Sequence, residues 1–164
     1  LALLYESDKT VGTAESCTSG MIAAAITMVP GASDYFKGGI VSYTDDVKTA
    51  LLDVDPEVIE KNTAVCEEVA LQMVKGAIDR LGVDYVIAST GFAGPGAAPG
   101  VAVGTIWLAC GNRDEQITLK LSEDEGRDKN VENAVHRALA LLLDFIRQHE
   151  PARTGDEVVE LTAN

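Results

Sequence analysis

Thr13-Ala14-Glu15-Ser16-Cys17-Thr18-Ser19-Gly20 is the stretch on whose reading the fold of this 164-residue chain depends. A short extended run, Thr10-Val11-Gly12-Thr13-Ala14, feeds into it, and a small-residue apolar segment, Met21 to Val29, leaves it. That order predicts a strand, a sharp turn and a helix, with Ser16 near the helix's first turn. Backbone N–H groups there lack intrahelical partners, and the helix dipole favours negative charge. Two roles are open to a hydroxyl at such a point. Ser16 or Thr18 caps the helix, or Ser16 is a nucleophile whose oxyanion meets free amide donors.

Working outward, Pro30-Gly31 stops that helix by removing a donor and supplying a flexible residue. Ala32 to Phe36 is expected to be irregular or a single turn, and Gly38 to Tyr43 reads as the second strand. Thr44 is placed to cap a helix running to about Leu52, with Asp45 and Asp46 in its first turn. Asp55-Pro56-Glu57 opens a further short helix, capped by Asp55. Val69, Met73, Ala77 and Leu81 form one apolar stripe on a helix from Cys66 to Leu81. Val83 to Ser89 reads as a buried strand that empties into a glycine-rich loop, Thr90 to Gly100. Val103 to Cys110 and Glu115 to Leu121 read as a hairpin across Gly111-Asn112-Arg113-Asp114. A last amphipathic helix spans about Asp128 to Gln148. Leu1 to Ser7 reads as the end of a preceding helix.

Alternating strands and helices predict an α/β domain, a three-layer α/β/α sandwich with a mixed, mostly parallel sheet. One domain is expected over 1–150, with a polar tail, 151–164, that is mobile or swapped onto a neighbour. Ligands in such sheets sit outside the carboxyl ends of the strands. Ser16, Tyr43 and Thr90 all fall at strand ends of that kind.

A formal net charge of −13 argues against a general nucleic-acid binder, because phosphates would be repelled. No apolar run approaches the roughly 20 residues that span a bilayer. Cys17, Cys66 and Cys110 are an odd, widely spaced set, neither a disulfide framework nor a zinc pattern. The chain begins at Leu1 without a Met or a basic-then-apolar leader, so cytoplasm is the expected compartment and upstream residues are expected to be missing. His136 and His149 fall on the last helix, where surface polar positions are the expected role.

Lys48 follows Tyr43 by five residues across a strand-to-helix junction, so both can face one crevice. A desolvated lysine loses proton affinity and can act as base toward a serine hydroxyl. The other reading of Lys48 is a solvated lysine pairing with nearby aspartates. Tyr43 is open to two readings as well, an edge-strand aromatic or a hydroxyl that orients lysine or substrate. Cys17 could be the nucleophile, its pKa lowered by a helix N-terminus, or a buried small side chain. The glycine loop offers close backbone approach to a ligand, but it is neither a Walker loop nor a dinucleotide fingerprint.

These residues resemble the C-terminal domain of the competence/damage-inducible CinA proteins, a family that includes stand-alone nicotinamide-mononucleotide deamidases. The resemblance runs through Thr13 to Thr18, Val29-Pro30-Gly31, Gly38 to Tyr43, Lys48, Ala64-Val65, Thr90 to Pro95 and Val103-Gly104-Thr105. It implies a Ser/Lys amidohydrolase in which Ser16 is the nucleophile, Lys48 its base and Tyr43 the assisting hydroxyl. It also implies that Cys17, Thr18, Thr90, Gly91, Ala93, Gly94 and Arg127 line the substrate. A small-molecule nucleotide is the implied partner, with no metal, no organic cofactor, no nucleic acid and no membrane. The family and the polar tail imply a homo-oligomer.

Two departures stand out. Where the family has Gly-Asp-Arg before the last helix, this chain has Gly126-Arg127-Asp128. Asp128 then occupies the arginine's place and Glu132 that of a second arginine, leaving Arg127, with Lys129 beside it, to meet a substrate phosphate. Ser19 stands where the family has glycine. The rival reading, from a different class, is a non-catalytic nucleotide-binding or interaction module on the same fold.

Overall fold

The computed structural model describes residues 7–96 and 98–150. The expected helix end at 1–6 and the tail 151–164 lie outside the described residues. Strand β1 (Val11–Glu15) leads through a turn to helix α1 (Met21–Thr27), a 3-10 turn (Ala32–Asp34) and strand β2 (Phe36–Val41). Three helices follow, α2 (Asp45–Leu52), α3 (Pro56–Asn62) and α4 (Glu67–Leu81), before strand β3 (Tyr85–Gly91). Strands β4 (Ile106–Gly111) and β5 (Gln116–Leu121) form a hairpin, and helix α5 (Arg127–His149) closes the order.

One sheet runs in the order β2-β1-β3-β4-β5. β1 pairs in parallel with β2 and β3, whereas β4 is antiparallel to both its neighbours. β4 alone opposes the other four strands, so the sheet is mixed and mostly parallel. Successive side chains alternate between faces. Tyr85 and Ile87 pack with Ile22, Ile26 and Phe145 under α1 and α5, while Val86 and Ala88 pack with Leu52, Met73 and Val74 under α2 and α4. Two separate apolar cores, one on each face, make the three layers.

Local chemistry explains most boundaries. Asp55 accepts the Glu57 N–H at 2.9 Å with Pro56 as first helical residue, the cap expected from that triplet. Asn112 Oδ1 accepts the N–H groups of Asp114 and Glu115, which folds the β4–β5 turn. Three strands are shifted from their expected limits, β4 by starting three residues late, at Ile106. β2 begins two residues early, at Phe36, because it registers against Val11, and it ends at Val41, so Tyr43 lies beyond the strand. β3 begins two residues late because Asp84 N–H and Tyr85 N–H both bond Thr10 O, making 83–84 the entry to the strand.

Gly39 lies close against β1, where a side chain would force the Thr13 hydroxyl to shift. A Cβ there would lie 2.2 Å from Thr13 Oγ1 on β1.

β1 is where the chain reverses its direction across the sheet: α1 returns on one face to β2, and α2–α4 return on the other to β3. A crevice opens at such a switch point, outside the strands' carboxyl ends.

Candidate active site

Ser16 is the first residue past β1 and is held by its own backbone, whose N–H bonds Ser89 O at 3.1 Å. The helix does not start there. The chain makes a turn over 16–20, with Ser19 at φ 49 and Gly20 at φ 91, before α1 begins at Met21. Glycine adopts that left-handed backbone readily and serine does not, so Ser19 sits in a conformation the family's glycine would suit.

Neither Ser16 nor Thr18 caps α1, which corrects the capping expectation. The cap is Glu15, a residue the sequence reading passed over. Its carboxylate accepts Ile22 N–H at 2.8 Å, Ala23 N–H at 3.1 Å and the Thr18 hydroxyl at 2.6 Å. Those helix amides are therefore unavailable to an oxyanion, contrary to expectation. Among the described residues, the N–H groups of Cys17, Thr18 and Gly20 have no hydrogen-bond partner in another residue.

Lys48 comes from the second turn of α2 and is 1% exposed. Its Nζ lies 2.9 Å from Ser16 Oγ and 3.1 Å from the Tyr43 carbonyl, which Ser16 Oγ also approaches at 3.4 Å. Burial pulls the Lys48 pKa below its ordinary value, and the nearby Asp45 carboxylate opposes the shift. No carboxylate lies within ion-pair distance of Nζ among the described residues. The arrangement is a hydroxyl facing an amine whose charged form is disfavoured, the pairing needed for proton abstraction.

Tyr43 contributes through its main chain. Its carbonyl orients Lys48, while the residue is 55% exposed and its hydroxyl accepts a hydrogen bond from Arg127 Nη2 at 3.2 Å. Thr90, next to last in β3, lines the same cleft and donates its hydroxyl to Ala64 O at 2.8 Å. Ser16, Tyr43, Lys48, Thr90 and Gly91 line one cleft of about 260 Å³ together with Asp45, Val65, Phe92, Pro99 and Val101.

The other expected site residues lie elsewhere. Cys17, Thr18 and Arg127 line a second cleft of about 490 Å³ between the 16–20 turn and α5, with Asp128, Glu132 and His136. The Thr18 hydroxyl is turned inward to Glu15 and Ser89. The Cys17 thiol is pushed up to about 11 by burial, the reverse of an activated nucleophile. Ala93 and Gly94 present carbonyls to α5: Asn130 Nδ2 reaches Ala93 O at 3.1 Å and Arg127 Nη1 reaches Gly94 O at 2.6 Å. Asn130, also unexpected, accepts Glu125 N–H at 2.8 Å and bonds Asp124 at 2.9 Å. The signal available in the sequence was an asparagine, a weak helix former, inside the expected last helix.

A family model, the CinA C-terminal domain, matches residues 1–146. The chain belongs to the CinA C-terminal domain family. Among curated relatives of this CinA domain, a CinA-like protein of Leptospira borgpetersenii serovar Hardjo-bovis (strain L550) is 42% identical over 148 residues, covering 89% of the chain and 35% of the relative. A CinA-like protein of Synechocystis sp. is 44% identical over 131 residues, 77% of the chain and 32% of that protein. The domain thus spans about a third of the length of these relatives. Solved CinA superfamily structures are similar throughout. One from Escherichia coli superposes with a TM-score of 0.82 at 35% identity, covering 85% of the domain and 82% of that chain. One from Klebsiella pneumoniae 700603 superposes with a TM-score of 0.85 at 30% identity, covering 90% and 92%. No described helix is long and apolar enough to cross a membrane.

Proposed function

We propose that this CinA domain is a Ser/Lys amidohydrolase that converts nicotinamide mononucleotide to nicotinate mononucleotide and ammonia. The observation that carries the reading is the 2.9 Å approach of Lys48 Nζ to Ser16 Oγ, with both groups buried. Neutral Lys48 takes the Ser16 proton as Oγ attacks the carboxamide carbon. The tetrahedral intermediate collapses as Lys48 returns the proton to the leaving nitrogen, releasing ammonia and an acyl-serine. Water, deprotonated by the same amine, then cleaves the ester and restores Ser16. The unpartnered amides of Cys17 and Thr18 are the donors in this turn that an oxyanion can use.

The apolar walls at Val65, Phe92, Pro99 and Val101 suit a flat ring. The cleft's volume, at or below the roughly 300–1,000 Å³ range of ligand sites, fits the carboxamide end with the phosphoribosyl group outside it. Nucleotide recycling in the cytoplasm follows from this reading, with a small-molecule nucleotide as the partner.

A binding module is the second reading, and one observation favours it. Arg127 already bridges Tyr43 and Gly94, while Asp128 and Glu132 turn carboxylates toward the neighbouring cleft, a poor setting for phosphate. Ammonia release from nicotinamide mononucleotide, compared between the parent and Ser16→Ala, separates the two. Release that disappears in the mutant supports the amidohydrolase. Folded parent without release, but with saturable binding of the mononucleotide, supports the module.

A further inference from the structure

Glu15 is fully buried, yet among the described residues no basic side chain pairs with it. A carboxylate in that setting is costly unless its oxygens are met by donors. Three meet it: the Thr18 hydroxyl and Ile22 N–H at Oε1, and Ala23 N–H at Oε2. Thr18 Oγ1 also lies 2.7 Å from Ser89 Oγ. A carboxylate only accepts, so Thr18 donates to Glu15 and Ser89 must donate to Thr18. Ser89 Oγ is then left with lone pairs toward the Ser16 N–H, 3.4 Å away. The two hydroxyl donors, Ser89 and Thr18, point toward Glu15, and the Ser16 N–H is shared between Ser89 Oγ and the Ser89 carbonyl, 3.1 Å away.

We propose that Glu15 is a positioning residue for the Ser16 nucleophile. This rests on the amidohydrolase reading above. Glu15 ties the end of β1 to the first turn of α1 and closes the intervening turn against the unfavourable backbone at Ser19. The closed turn sets the direction of Ser16 Oγ toward Lys48. Glu15 does not line the cleft and makes no hydrogen bond to Lys48, so it acts on Ser16 through Thr18, Ser89 and the closed turn. Glutamine cannot replace it. Its NH2 group, placed at either oxygen's position, faces a backbone N–H of Ile22 or Ala23, and the turn must loosen.

The test uses two readouts on the full chain: ammonia release from nicotinamide mononucleotide, and covalent labelling of Ser16 by a fluorophosphonate, followed by intact mass. In Glu15→Gln, kcat and the labelling rate are expected to fall together by about 10–100-fold, with KM changed less than about threefold. Thr18→Val, which cuts the hydroxyl chain but leaves the helix cap, is expected to lower both by about 3–10-fold. The double mutant is expected to resemble Glu15→Gln, since the two act as one unit. Labelling of Glu15→Gln within about threefold of the parent, or additive effects in the double mutant, overturns the proposal. If Glu15→Gln does not fold, Thr18→Val decides alone: parental labelling sinks the idea. A parent that is neither labelled nor active is a failure of the amidohydrolase reading, distinct from these outcomes.

Discussion

The two edges of the sheet treat charge in opposite ways. At the amino-terminal edge, charged groups meet partners near solvent. His149 Nε2 sits 2.6 Å from Glu115, and Asp84 takes both the N–H and the hydroxyl of Thr10. At the carboxyl edge Glu15 and Lys48 are both buried on either side of Ser16, and they do not pair with each other. The proton affinities follow. His149 is raised by the Phe145 carbonyl and by Glu115, whereas Lys48, with only a hydroxyl and a carbonyl in contact, is lowered by burial. An ion pair with Glu15 would hold Lys48 charged and useless as a base. Keeping the two apart trades stability for reactivity, a cost borne at one edge only.

The largest effect that would break this contrast is expected at Lys48. Lys48→Met should lower ammonia release by about a thousandfold or more, while raising Tm at neutral pH. The sign follows from linkage. With a folded pKa below the unfolded value, the unfolded chain binds the extra proton, so Lys48 costs stability wherever pH lies below its unfolded pKa of about 10.4. A gain of about 2–4 °C per kcal/mol is expected by calorimetry. A mutant less stable than the parent would mean that Lys48 is a structural cation.

Asn130→Ala gives the next effect. It strands the buried Ala93 carbonyl and should cost about 1–3 kcal/mol in urea unfolding. A loss under half a kcal/mol would show that the loop over 91–96 is held without it.

His149→Gln is the smallest. The raised folded pKa means that His149 stabilises fully below its unfolded value of about 6.5, and the benefit disappears as pH rises through the folded value. The parent's Tm advantage over His149→Gln should therefore be present at pH 5.5 and shrink at pH 8.5. A difference that grows with pH contradicts the assignment.

Much of the fold was legible because its signals are local. The Asp55-Pro56 cap, the 69-73-77 stripe and the Asn112 turn each act within a few residues, and each formed where its pattern lay. The cleft was legible in part: Ser16, Tyr43, Lys48, Thr90 and Gly91 share it, whereas Cys17, Thr18, Ala93, Gly94 and Arg127 do not line it. Roles within the cleft were less legible. Tyr43 was read by its hydroxyl and engages Lys48 through its carbonyl. The strand, sharp turn and helix around Ser16 formed in the expected order, with the helix starting at Met21. Its cap was not legible, because the Glu15 carboxylate reaches seven and eight residues ahead to amides that a capping template seeks only three residues away. His149, read as a surface position, stacks on Phe145 at a ring separation of 4.0 Å.

By itself the sequence determined the order of strands and helices, the Asp55 cap and the two apolar faces, because periods of 2 and 3.6 residues and short capping spacings are properties of neighbours along the chain. Tertiary structure decided that Lys48 is buried against Ser16, 32 residues away, and that Arg127 reaches Tyr43 across 84. It also decided that the carboxylate before the nucleophile faces a helix instead of the lysine. Those outcomes depend on strand register and on which crevice the sheet's switch point opens, and a proton's affinity depends on how much water that crevice excludes.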